Sequence, residues 1–157
     1  MTVETRPRTT LDDILVVDAD VHAHEQPEKM VPYIDPAWRR SLANVATIPH
    51  RYLNRPGFAP IGAVTLPGST LPSSRGKARE EIVWTGEQMR RELTGMSIDV
   101  GVIFPDHFLK IAAIPHNAYA TALGAAFNRW VEAEWVAEDN DLYSVILAVP
   151  HDPAAAV

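Results

Sequence analysis

Ile14-Leu15-Val16-Val17-Asp18-Ala19-Asp20-Val21-His22-Ala23-His24-Glu25 decides both the fold class and the chemistry of this chain. Its first four residues are apolar and mostly β-branched, with no alternation. That is the pattern of a strand covered on both faces in a parallel sheet. Acidic and imidazole side chains then crowd the strand's exit: Asp18, Asp20, His22, His24 and Glu25. If strand pairing continues through His24, side chains two apart share a face, so Asp20, His22 and His24 point together toward one end of the sheet. Such a row can chelate a divalent ion, and imidazole with carboxylate suits zinc, manganese or iron.

Asp and His after a strand also serve as turn and cap residues, so a lone D-x-H or H-x-H says little. The elements that follow give it weight. Thr85 with Gln88 three residues on has capping-box form, and Met89, Leu93 and Met96 set an apolar stripe on a helix ending near Ile98. Val100-Gly101-Val102-Ile103-Phe104-Pro105 is a second apolar strand, with Asp106 and His107 at its exit on the expected active-site face, read first as an exposed loop pair and second as pocket-lining residues. Tyr119, Leu123, Phe127, Val131 and Trp135 recur every four residues and predict a helix from about Asn117, its N-cap, to Glu138. On it, Trp130 and Trp135 are expected to pack against the sheet or a neighbouring subunit. Tyr143 to Pro150 reads as a third strand, and Asp152 with Pro153 as the cap and first turn of another helix. Strands alternating with helices imply parallel βα units, here the first three, so the expected class is α/β.

Before the first strand, residues 1–13 are polar and without periodicity, a flexible lead-in to a single unit spanning 14–157. From about Gln26 to Val83 the chain is rich in Pro, Gly, Ser and Arg, including Pro32, Pro36, Pro49, Pro56, Pro60, Pro67 and Pro72. Prolines at that density preclude long elements, and the stretch reads as a long insertion after the first strand, with helical turns around Lys29 to Tyr33 and Ala37 to Ala43. His50 and Arg51 fall within it, while His151 falls in a strand-to-helix loop.

Composition excludes several functions. The net charge of −6 comes with no basic cluster, so neither nucleic acid nor an anionic membrane surface is an expected partner. The absence of cysteine removes disulfides, thiolate ligands and cysteine nucleophiles, leaving His, Asp and Glu as metal ligands. No stretch approaches the about 18 apolar residues of a membrane span, and the N-terminus has no apolar signal core, so a cytoplasmic location is expected.

Val17-Asp18-Ala19-Asp20-Val21-His22, with Glu25, Pro27 and Tyr33-Ile34-Asp35-Pro36, resembles the opening of amidohydrolase-2 proteins, the group of aminocarboxymuconate semialdehyde and resorcylate decarboxylases. The likeness continues in Ile98 to Pro105, Ala126-Phe127-Asn128-Arg129-Trp130 and Val149 to Ala154. The resemblance implies a partial (β/α)8 TIM barrel and a metal-dependent hydrolase or decarboxylase acting on a small carboxylated or carbonyl compound. It further implies a single divalent metal, zinc first with manganese or iron as alternatives, bound by Asp20 and His22 with His24 as auxiliary. A second register takes His22 and His24 as the ligand pair.

The family's other ligands come from strands of the second half of the barrel, beyond the three units read here. Three units cannot close a barrel of eight. The expectation is therefore a homo-oligomer or a complementary C-terminal fragment as partner, the alternative being a catalytically inactive truncated fragment or subunit. A phosphoesterase barrel is the competing enzyme reading.

Overall fold

The computed structural model describes residues 14–46, 85–114, 116–136, 141–150 and 152–155. The lead-in before Ile14, His50, Arg51 and His151 lie outside them, as does most of the proline-rich stretch. The elements run β1 (Val17–Ala23), α1 (Pro27–Met30), α2 (Arg39–Ala46), α3 (Gly86–Gly95), β2 (Val100–Pro105), α4 (Asn117–Glu134) and β3 (Leu142–Ser144), with 3-10 turns at Pro36–Trp38 and His107–Ala113. The three strands form one parallel sheet in the order β1-β2-β3, so the α/β reading with parallel pairing holds.

β1 departs from the sequence reading in where it starts and how it is covered. It begins at Val17, not Ile14, so Asp20 and His22 lie within the strand and His24 just past it. Leu15 is 73% exposed and Val17 50% exposed, so this strand is not sealed on both faces. The cause is its position at the sheet edge and a core on one side only. In β2, Gly101, Ile103 and Pro105 are buried while Val100, Val102 and Phe104 are half-buried. The register Val17↔Val100, Asp18↔Gly101, then Val21↔Ile103, His22↔Phe104, Ala23↔Pro105 contains one extra residue in β1, a β-bulge. Asp18 Oδ1 accepts the Asp20 N–H at 2.9 Å, satisfying an amide inside the bulge with the Asx-turn geometry that aspartate favours.

β3 is shorter than the expected Tyr143 to Pro150, and Pro105 explains why. Rungs from β2 toward β3 use Gly101 N–H to Asp141 O and Val145 N–H to Ile103 O. The next would need an N–H on Pro105, which proline lacks. Beyond that point the Asn128 side chain acts as a surrogate strand. Its Oδ1 accepts the Leu147 N–H at 2.9 Å and its Nδ2 donates to Leu147 O at 3.1 Å.

α4 supplies the main apolar layer: Tyr119, Leu123, Phe127, Val131 and Trp135 are all buried, as the four-residue recurrence requires. Phe108, Phe127, Trp130 and Trp135 form a chain of tilted and edge-on ring contacts 5.8 to 6.1 Å apart. The helix stops at Glu134, short of the expected Glu138. Its N-cap is His116, one residue before the expected Asn117, with Nδ1 accepting the Tyr119 N–H at 3.2 Å.

α3 starts as its sequence promised, Thr85 Oγ1 accepting the Gln88 N–H at 3.2 Å. It closes at Gly95 through paired bonds, Ile98 N–H to Leu93 O and Ser97 N–H to Thr94 O, with Ser97 in the left-handed region at φ 60°. Because the helix ends there, Met96 leaves the apolar stripe and is 56% exposed. Asp152 caps the final turn, Oδ1 accepting the Ala155 N–H at 3.3 Å.

Candidate functional site

The rungs above the bulge set which side chains face the open side of the sheet. Above it, Val21 and Ala23 enter the core, so Asp20 and His22 turn to the opposite face. There Asp20 Oδ1 lies 3.2 Å from His22 Nε2. The other ring nitrogen, Nδ1, lies 2.8 Å from the carbonyl oxygen of Pro105. A carbonyl only accepts, so Nδ1 carries a proton and Nε2 is the atom that meets the carboxylate.

The separation fits a metal. An ion holding oxygen and nitrogen tetrahedrally at about 2.1 Å sets those atoms about 3.4 Å apart. A histidine ligand also ordinarily donates its second ring N–H to a carbonyl or carboxylate, the role Pro105 O plays for His22. The donor set, one carboxylate and one imidazole, suits zinc, manganese or iron. Among the described residues, however, no three His, Cys, Asp or Glu side chains stand together as a metal-holding group.

His24, two residues on, lies just past the strand. Its Nδ1 is 2.8 Å from Asp106 Oδ2, with side chains 19% and 4% exposed respectively. The sequence thus brings Asp20 and His22 into direct contact and gives His24 a partner just past the next strand. Asp106 corrects the reading of an exposed loop residue: it is buried, because the register that sets Ala23 beside Pro105 carries it in behind His24. Glu25, also buried, accepts the Phe108 N–H through Oε1 at 2.9 Å, serving an amide at the start of the following 3-10 turn.

The sequence offered a pocket-lining role for Asp106 only as the lesser alternative to an exposed loop residue, and no role for Pro105 O. The only sequence signal was that both β1 and β2 end in polar residues after an apolar run. Which residue meets which depends on the register between β1 and β2. A separate open cleft of about 610 Å³ lies between residues 32–39 and the outer side of α4, lined by Tyr33, Trp38, Arg39, Thr121 and Arg129 among others. Asp20, His22 and His24 are not among its lining residues.

No helix among the described residues is long and apolar enough to cross a membrane. Comparison with protein-family models and with curated proteins returns no match.

Proposed function

We propose that this chain is the metal-binding part of an amidohydrolase-type hydrolase or carboxy-lyase, built as the opening of a (β/α)8 barrel and acting in the cytoplasm on a small carboxylated or carbonyl compound. The observation that carries the reading is the His22 ring. Pro105 O holds Nδ1 at 2.8 Å, which turns Nε2 to within 3.2 Å of Asp20 Oδ1 on the open face at the carboxyl end of β1. Parallel barrels collect their catalytic groups at that end of the strands.

In this reading Asp20 and His22 are ligands to a divalent ion, zinc first and manganese or iron next, with His24 as auxiliary. The remaining ligands come from outside the described residues, on a complementary segment or a second copy. A bound ion of this kind supplies Lewis acidity toward a carbonyl or carboxylate and acidifies a water. The chain's own contribution is orientation. Pro105 O fixes the tautomer and direction of His22, and the two-residue alternation of the strand sets Asp20 on the same face as His22.

Elemental analysis of the purified protein, compared with Asp20→Ala and His22→Ala, tests the proposal. About one zinc, manganese or iron per chain, lost in both variants, supports it. Metal retained in both variants, or no specific metal in the wild type, sinks it.

A second reading, a catalytically inactive subunit that associates with a complementary chain or with itself, is favoured by the open face of the sheet. Val17 there is 50% exposed and Tyr143 on β3 59% exposed. Sedimentation of the protein at rising concentration separates the two: association without bound metal favours this second reading.

A further inference from the structure

We propose that the open cleft beside α4 binds a small organic anion, a flat apolar body with a carboxylate or phosphate head, and that Arg39 and Arg129 hold its charge. The cleft measures about 610 Å³, within the range of pockets that take small molecules. Its lining does not include Asp20, His22 or His24, so the proposal stands apart from the metal reading.

Charge singles this cleft out. In a chain of net charge −6, two guanidiniums line one concavity, and neither has a carboxylate partner among the described residues. The two acids in the same lining are committed to local donors. Asp35 Oδ1 accepts the Ala37 N–H at 2.8 Å. Asp152 Oδ1 accepts the Ala155 N–H at 3.3 Å, and its Oδ2 accepts the Thr121 hydroxyl at 3.1 Å. Glu134 accepts the Tyr33 hydroxyl at 3.1 Å. Arg129 donates one N–H to Tyr33 O at 3.1 Å, which braces the guanidinium and leaves the rest of its fork to a ligand. A guanidinium is weakly hydrated and matches carboxylate and phosphate with paired N–H bonds, so an anion is the ligand that this lining fits.

The walls set the shape of the ligand's body. Ala118, Ala122 and Ala125 recur on one face of α4 and carry nothing beyond Cβ, which makes that wall flat. Residues 32–39 form the other wall, with the rings of Pro32, Pro36 and Trp38. The Trp38 ring packs on His116 at 5.2 Å and on Tyr119 at 5.1 Å between ring centres, so its aromatic surface is fixed before a ligand arrives.

Titration of the full chain with benzoate, phenyl phosphate and benzamide tests this, followed by the NMR signals of the Trp38 indole N–H and the Ala122 and Ala125 amides. The anions should shift those signals saturably, the tighter one naming the head group. Benzamide keeps the ring without the charge and should bind about 10-fold more weakly or worse. Arg39→Gln and Arg129→Gln should each weaken anion binding by about 10-fold. Ala122→Leu, which fills the flat wall and keeps both charges, should block it. Equal affinity for benzamide and the anions, full affinity in the arginine variants or in Ala122→Leu, or no saturable shift with either anion overturns the proposal. If Arg129→Gln does not fold, Arg39→Gln decides, because Arg39 is exposed: a loss of about 10-fold supports the anion site and full affinity overturns it.

Discussion

Gly86 and the carbonyl of Trp135 are in such close register that a Cβ added at Gly86 would lie 2.3 Å from Trp135 O and 2.8 Å from its Cα. The start of α3 therefore rests directly on the backbone at the end of α4. Backbone atoms cannot swing aside as a side-chain tip can, so Gly86→Ala must separate the two helices. The expected cost is about 2–3 kcal/mol, read as a lower urea midpoint with an unchanged slope. An unaltered midpoint would show that the helices do not meet there.

Ser97 closes α3 from the left-handed region, a conformation that costs an L-residue about 1–2 kcal/mol and glycine almost nothing. Ser97→Gly should raise stability by about 1 kcal/mol, since the two closing bonds use backbone atoms only. A rise in the thermal midpoint checks it, and a fall would mean that the serine side chain contributes more than the strain.

Asn128 must donate and accept at once, because it meets both Leu147 N–H and Leu147 O. Asn128→Asp keeps the shape and sets a carboxylate oxygen against the Leu147 carbonyl. Leaving that pair unmet should cost about 1–3 kcal/mol. Asn128→Ala removes both bonds and serves as the comparison in the same denaturation series. If the two variants match wild type, the end of β3 is held by other contacts.

Tyr33 is expected to shape the alkaline limb of the stability curve. Burial, then the hydrogen bond and charge of Glu134, raise its phenol above the ordinary 10.0, with the hydroxyl 3.1 Å from Glu134 Oε1. The folded protein thus keeps this proton to higher pH than the unfolded chain does. The contribution is complete below pH 10.0 and is lost as pH rises through the raised folded value. Tyr33→Phe should flatten stability against pH in that alkaline window and leave the neutral region unchanged in slope. An unaltered alkaline limb in the variant would assign it to another group.

Features set by neighbours along the chain were legible in the sequence. Thr85 caps an amide three residues away, and the α4 stripe from Tyr119 to Trp135 needs only helical period to place it inside. Features set across the chain were not. The length of β3 depends on which edge of β2 the imino nitrogen of Pro105 falls on, and the partner of His24 depends on the register between β1 and β2, which no local pattern announces. The α/β class with parallel strands was readable because alternating strands and helices suffice for it. The coverage of β1 was not, since an apolar run looks the same whether one face or two are sealed.

The extra residue in β1 also separates the orientation of the site from the length of chain that leads to it. Asp18 pairs with Gly101 and Val21 with Ile103, so three steps on one strand match two on the other. Deleting Ala19 would join Asp18 to Asp20 and seat Asp20 opposite Val102, while Val21, His22 and Ala23 keep the partners they already have. The direction in which His22 points is thus fixed from the rungs above it, and one residue can be lost below without turning the ring to the other side of the sheet.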